Sequence, residues 1–91
     1  MRRIDIAFTN RFIEEALQIY SPKVQKELDS MLETLQVLPE IGSRIVADSV
    51  KREFGDDVYK CLIGPFAMIY RYNKEENLVK IIALLHQRGI R

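Results

Sequence analysis

The sequence predicts an α+β domain: an N-terminal strand, a two-helix hairpin, then a mainly antiparallel sheet with both helices on one face. Three observations lead there. A short alternating stretch opens the chain, apolar residues then recur at helical spacing from residue 12 to residue 38, and strand-length apolar runs follow residue 58. With 91 residues there is room for one domain, spanning 1–91, and 47% apolar residues suffice for a core without disulfide or metal staples.

Residues 3–9 alternate, with Ile4, Ile6 and Phe8 on one side and Asp5 and Ala7 on the other. Asn10 is placed to cap a first helix whose apolar stripe reads Phe12, Ile13, Ala16, Leu17 and Tyr20. Ser21-Pro22 starts the second helix: serine is a favoured N-cap, and proline at the first helical position gives up only a donor that has no intrahelical acceptor. Val24, Leu28, Met31, Leu32, Leu35 and Leu38 follow at helical spacing, and Pro39 with Gly42 closes the segment. So short a link between two amphipathic helices folds them against each other. Residues 43–54 stay open between two readings, with 44–50 a short strand or an irregular arm.

After that the period changes. Residues 58–63 read as a strand, Gly64-Pro65 as a turn, 66–72 as a second strand, 73–77 as a polar loop and 78–86 as a longer last strand. Strand parity places Phe66, Met68, Tyr70 and Tyr72 on one face, with Ala67, Ile69 and Arg71 on the other. In the last strand the uniformly apolar set Val79, Ile81, Ala83 and Leu85 is assigned to the helices. The mixed set Leu78, Lys80, Ile82, Leu84 and His86 is assigned to a face left open, and Arg88 continues its parity. The open face is therefore expected to collect Arg71, Lys80, His86 and Arg88.

Charge is nearly balanced, with 14 Lys and Arg against 13 Asp and Glu for a net +1. A protein that coats nucleic acid indiscriminately needs a clear basic excess, because affinity comes from neutralised phosphates and released counterions. Such a coat is excluded; a local basic patch is not. Residues 21–40 hold two positive and four negative side chains, whereas 61–91 hold five and two, so the basic excess sits in the C-terminal third. The single Cys61 rules out a disulfide framework and a cysteine zinc site, and it fits a reducing cytosol. No metal-ligand cluster or cofactor motif stands out. The longest unbroken apolar run, residues 81–85, is far short of a membrane span, and no signal-peptide stretch opens the chain, so the expected location is the cytoplasm with no membrane partner.

Four segments carry a family likeness: Leu38-Pro39-x-x-Gly42, Val58-Tyr59-Lys60, Phe66-Ala67-Met68-Ile69-Tyr70-Arg71-Tyr72, and Val79-x-Ile81-Ile82-x-Leu84-Leu85-His86-Gln87-Arg88. In order, and over essentially the whole chain, they resemble the RelE/ParE superfamily of type II toxin–antitoxin modules. The resemblance implies a small toxin, without cofactor, held inactive by a cognate antitoxin. RelE-like members bind the ribosomal A site and cleave mRNA without a metal; ParE-like members lack that nuclease set and poison DNA gyrase. On the nuclease side, Lys60 matches a lysine near the scissile phosphate, Arg88 the arginine near the C-terminus, and His86 a C-terminal catalytic histidine able to act as acid or base.

Two departures count against cleavage. The arginine that nuclease members carry early in the Tyr-rich strand falls on Ala67, and the chain ends at Arg91 without their C-terminal tyrosine. Arg71 shares the face of Ala67 and is the replacement cation, but it stands about 13–14 Å further along the strand at ~3.4 Å per residue. The resemblance thus points to a ParE-like toxin that binds DNA gyrase. An mRNA endoribonuclease using Lys60, Arg71, His86 and Arg88 and a non-toxic antitoxin-binding module are the alternatives. In the binding readings Arg71, Lys80, His86 and Arg88 contact the target or the antitoxin. A groove beside the helix pair is expected to take an acidic, helical antitoxin segment. The oligomeric state is left open.

Overall fold

A computed structural model of the chain describes residues 3–87. The order is β1 (Asp5–Phe8), α1 (Asn10–Ala16), α2 (Pro22–Leu35), α3 (Asp48–Phe54), β2 (Tyr59–Ile63), β3 (Phe66–Asn73) and β4 (Leu78–His86). The four strands form one sheet in the order β1-β4-β3-β2. β1 runs parallel to β4, and the other two pairings are antiparallel. The α+β class and the mainly antiparallel sheet are as expected.

Local chemistry explains most boundaries. Ser21 caps α2, its side chain accepting from the Val24 amide, and Pro22 occupies the first turn. Gly64 takes φ +55 at the first central position of the two-residue turn between β2 and β3, a conformation that costs glycine nothing. The first helix is capped by Thr9 instead of Asn10: the Thr9 hydroxyl accepts from the Phe12 amide at 3.1 Å and donates to the Ile82 carbonyl at 2.5 Å, a second bond that Asn10, already helical, does not make. α2 stops at Leu35, short of Leu38.

Both α1 and α2 lie on one sheet face. Phe12, Leu28 and Leu35 pack there with Tyr59, Cys61 and Ile63 of β2, Met68 and Tyr70 of β3, and Val79, Ile81 and Leu84 of β4. α1 sits against β4 and α2 against β2, so the sheet seats each helix. Tyr70 is the largest fully buried side chain, and its ring stacks on Tyr59 with centroids 5.1 Å apart. Its hydroxyl donates to the Pro39 carbonyl at 2.9 Å and accepts from the Gly42 amide at 3.0 Å, which pins the loop after α2 to the sheet. A Cβ on Gly42 would lie 2.7 Å from that oxygen, so the close approach requires glycine.

The opposite face is not open. Residues 43–54 turn back over it: Ser43 makes an isolated bridge with Lys60, and α3 follows. Val46, Val50 and Phe54 bury themselves on Val58, Ile69, Ile82 and Ala83. Ile69 and Ala83 are fully covered. The expectation of a bare second face is corrected because Val50 and Phe54, four residues apart and so on one face of α3, join Val46 to roof it.

A second correction follows from register. Ile69 pairs with Ala83 but Tyr70 pairs with Ile81, leaving Ile82 as an extra residue in β4. Such a bulge reverses side-chain parity beyond it. Val79 and Ile81 face the helices as expected, but Ala83 and Leu85 pack on the α3 side and Leu84 turns to the helix side.

Candidate functional site

The residues named from the sequence divide between the two faces. Arg71 lies on the α3 side, opposite Lys80 of the neighbouring strand. Its guanidinium is already engaged: Nε bonds Asp57 Oδ1 at 3.0 Å, and an Nη donates to the Phe54 carbonyl at the C-terminal end of α3. A cation at that end satisfies a carbonyl without an intrahelical donor. The Arg71 bond also holds the Asp57 carboxyl below its usual pKa. Lys60, half-buried, shares this side through its pairing with Ile69, and its backbone exchanges both hydrogen bonds with Ser43 at 2.8 and 2.9 Å. Lys60 and Lys80 form no ion pair among the described residues. Ala67, where the nuclease arginine was sought, is fully buried.

His86 is elsewhere. The bulge turns it to the helix side, where its ring meets Phe66 edge-on with centroids 5.4 Å apart, in a recess shared with Glu15, Gln18 and Leu84. The expected grouping of His86 with Arg71 and Lys80 is therefore corrected, since one extra residue in β4 separates them. Arg88 lies outside the described residues. Gln87 ties the end of β4 to the hairpin, its amide donating to the Pro65 carbonyl at 2.9 Å and its side chain to the Gly64 carbonyl at 3.1 Å.

Besides the expected groove along the helices, the structure exposes an apolar strip that the sequence assigns to the core-facing stripe of the first helix. Of the stripe assigned to α1, Phe12 is buried and Ala16 half-buried, while Ile13, Leu17 and Tyr20 stand out; Leu17 and Tyr20 are 75% and 86% exposed. Phe8 extends this strip and stacks on Phe12 at 5.5 Å. Apolar residues occupy both the inner arc and one flank of α1, and only the tertiary fold shows which arc meets the sheet. On the far side of α2, a shallow groove runs between Lys23, Lys26, Met31 and Thr34 and the β2 residues Leu62 and Ile63, with Leu62 59% exposed.

The α3 segment is tied to α1 as well. Arg11 bonds Glu53 at 2.6 Å, approaches Glu15 at 3.6 Å and lies over the Phe54 ring at 5.1 Å. The Glu53 bond raises its pKa. Among the described residues no group of three or more His, Cys, Asp or Glu is placed to hold a metal, and no helix is long and apolar enough to cross a membrane. Cys61 is buried beside Tyr70, and burial pushes its thiol pKa up, so it is a poor nucleophile.

Comparison with known proteins accords with this architecture. The chain is similar in structure to E. coli RelE in the intact RelBE toxin–antitoxin complex, with TM-score 0.68 and 19% identity over 91% of this chain and 95% of that one. It is similar to the isolated E. coli RelE toxin at TM-score 0.70 and 17% identity, covering 91% and 83% of the two chains. For the archaeal RelE–RelB complex from Pyrococcus horikoshii the values are 0.68 and 14%, over 94% and 97%. At these identities the likeness is one of fold. No curated protein matches the sequence. The family comparison is more specific: residues 6–91 match the ParE toxin of the type II toxin–antitoxin system parDE. The chain therefore belongs to the ParE toxin family and is a toxin of the type II toxin–antitoxin class.

Proposed function

We propose that this toxin inhibits growth by binding a macromolecular target such as DNA gyrase, and that it does not cleave mRNA. The observation that carries the reading is the separation of the cleavage set. A 2′-hydroxyl attack on phosphate needs a base, an acid and a cation converging on one phosphodiester. Here Lys60 and Arg71 stand on the α3 side, His86 stands on the helix side, and the position of the expected arginine is the buried Ala67. Arg71 bonds the end of α3 and Asp57, which occupies the charge a phosphorane would require. Lys80, beside Arg71 on the α3 side, and His86, on the helix side, are assigned as separate contacts of the binding surface, and Arg88 is assigned to it from the family resemblance alone.

The same reading includes a cognate antitoxin as partner. Two of the solved structures similar in fold are toxin–antitoxin complexes. The exposed strip Phe8, Ile13, Leu17 and Tyr20 supplies the apolar surface that a helical antitoxin segment needs. Leu17→Glu is expected to weaken capture of co-expressed antitoxin at least about ten-fold, the scale of one interface anchor lost, as read by co-purification.

The test of the toxic activity is purified protein added to gyrase and supercoiled plasmid. Accumulated gyrase–DNA cleavage complexes support the reading. Undisturbed supercoiling, with codon-phased mRNA cuts in cells making the protein, contradicts it in favour of the endoribonuclease. Normal growth with neither signal contradicts it in favour of a non-toxic antitoxin-binding module.

A further inference from the structure

The β4 bulge leaves backbone groups that no neighbouring strand can satisfy. β1 pairs with β4 only as far as Phe8 opposite Ile81, so beyond that point the outer edge of β4 lacks a strand partner. The start of the α1 region takes the place of the missing strand. The Thr9 amide donates to the Ile81 carbonyl at 3.0 Å, the Thr9 hydroxyl donates to the Ile82 carbonyl, and the Leu84 amide donates to Glu15 Oε1 at 2.9 Å. Glu15 is in turn approached by Arg11, which Glu53 holds from α3. The Thr9 amide and two side chains, those of Thr9 and Glu15, thus close the bulge, and the one that reaches past it is Glu15.

From this arrangement we propose that Glu15 is a positioning residue: by binding the Leu84 amide it holds β4 in its bulged register and so keeps His86 on the helix side of the sheet, beside Phe66. Without the bulge, strict alternation would carry Leu84 and His86 to the side of Lys80 and Arg71, and would move Ala83 and Leu85 into the helix-side core. The two arrangements bury comparable apolar residues, Leu84 in one and Ala83 with Leu85 in the other, so hydrophobic burial discriminates poorly between them. A hydrogen bond donated by a backbone amide to a half-buried carboxylate is the stronger discriminator. The consequence for toxicity rests on the assignment of His86 to the binding surface; the consequence for structure does not.

The experiment compares the full-length wild type with Glu15→Ala and Glu15→Gln by NMR. The Phe66–His86 ring contact and the exchange rate of the Leu84 amide are followed, and growth inhibition is measured in parallel. In Glu15→Ala the ring contact is lost, the Leu84 amide exchanges about ten-fold faster, and growth inhibition falls to the level of His86→Ala. Glu15→Gln, whose amide oxygen still accepts from Leu84, restores all three. Should Glu15→Ala unfold, Glu15→Asp keeps the charge but shortens the reach by one carbon and is read in the same way. An intact ring contact and a protected Leu84 amide in Glu15→Ala, or in Glu15→Asp where that variant replaces it, overturn the positioning role. A wild type that does not inhibit growth contradicts the proposed function alone, because the NMR comparison still decides the role of Glu15.

Discussion

The two faces of the sheet are built by different means. On the helix side, aromatic and branched residues from six elements interlock around Tyr70, whose hydroxyl donates to the Pro39 carbonyl and accepts from the Gly42 amide. On the α3 side the apolar contribution is modest, with Val46, Val50 and Phe54 on small or branched partners, and the seven-residue helix is held at its end by charge. A helix of two turns has no stability of its own in water. Arg71 and Arg11 therefore act as clamps where the first face relies on packing. The molecule sets a rigid helix-side core against a lightly fastened cover.

That contrast predicts a graded series of effects. Leu35, the last residue of α2, is fully buried against the sheet. Leu35→Ala should cost about 2–5 kcal/mol of global stability, the range for a truncated core leucine, measured by urea denaturation. Tyr70→Phe keeps the ring and strips the Pro39 carbonyl and the Gly42 amide of their partner, for about 1–3 kcal/mol. Its signature is faster amide exchange in residues 39–43 ahead of the sheet. Burial raises the Tyr70 pKa well above the ordinary tyrosine value, so the wild type also loses stability as pH rises through about 10, where the unfolded chain ionises first.

Arg71→Ala should sharpen the difference between the faces. A loss near 1 kcal/mol is expected for so exposed a clamp. Amide exchange should accelerate throughout α3 while β2, β3 and β4 remain protected. Equal acceleration on both faces would break the comparison. The smallest effect concerns acid. Asp57 has its pKa lowered by the Arg71 bond. Its contribution is therefore present above the unfolded carboxylate value near ~3.9 and is lost as pH falls through the folded value. Stability of the wild type should drop slightly below about pH 4, and Arg71→Ala should flatten that part of the profile.

How far the fold is legible from the sequence follows the same division. Ser21-Pro22, Gly64-Pro65 and the alternation of Phe66, Met68, Tyr70 and Tyr72 are local signals, and they place α2, the hairpin and the helix-facing side of β3 correctly. α3 carries no comparable periodic signal: within seven residues only Val50 and Phe54 point inward, its N-cap Ala47 makes no side-chain bond, and its clearest local mark is Gly55 at the C-cap, where the distant Arg71 bonds the Phe54 carbonyl. The bulge at Ile82 is equally silent. An unbroken run of Ile81, Ile82, Ala83, Leu84 and Leu85 offers apolar residues to either face, so parity counted through it assigns Lys80 correctly and His86 to the wrong side. The sequence supplies candidate residues for the site as a list, on one expected face. Their division between two faces depends on one hydrogen-bonded irregularity that only the assembled sheet displays.

The central claim, a toxin that binds instead of cutting, is tested most directly by primer extension on cellular mRNA after induced expression. Growth is expected to stop while transcripts remain intact. Codon-phased cleavage that disappears in Lys60→Ala would contradict it.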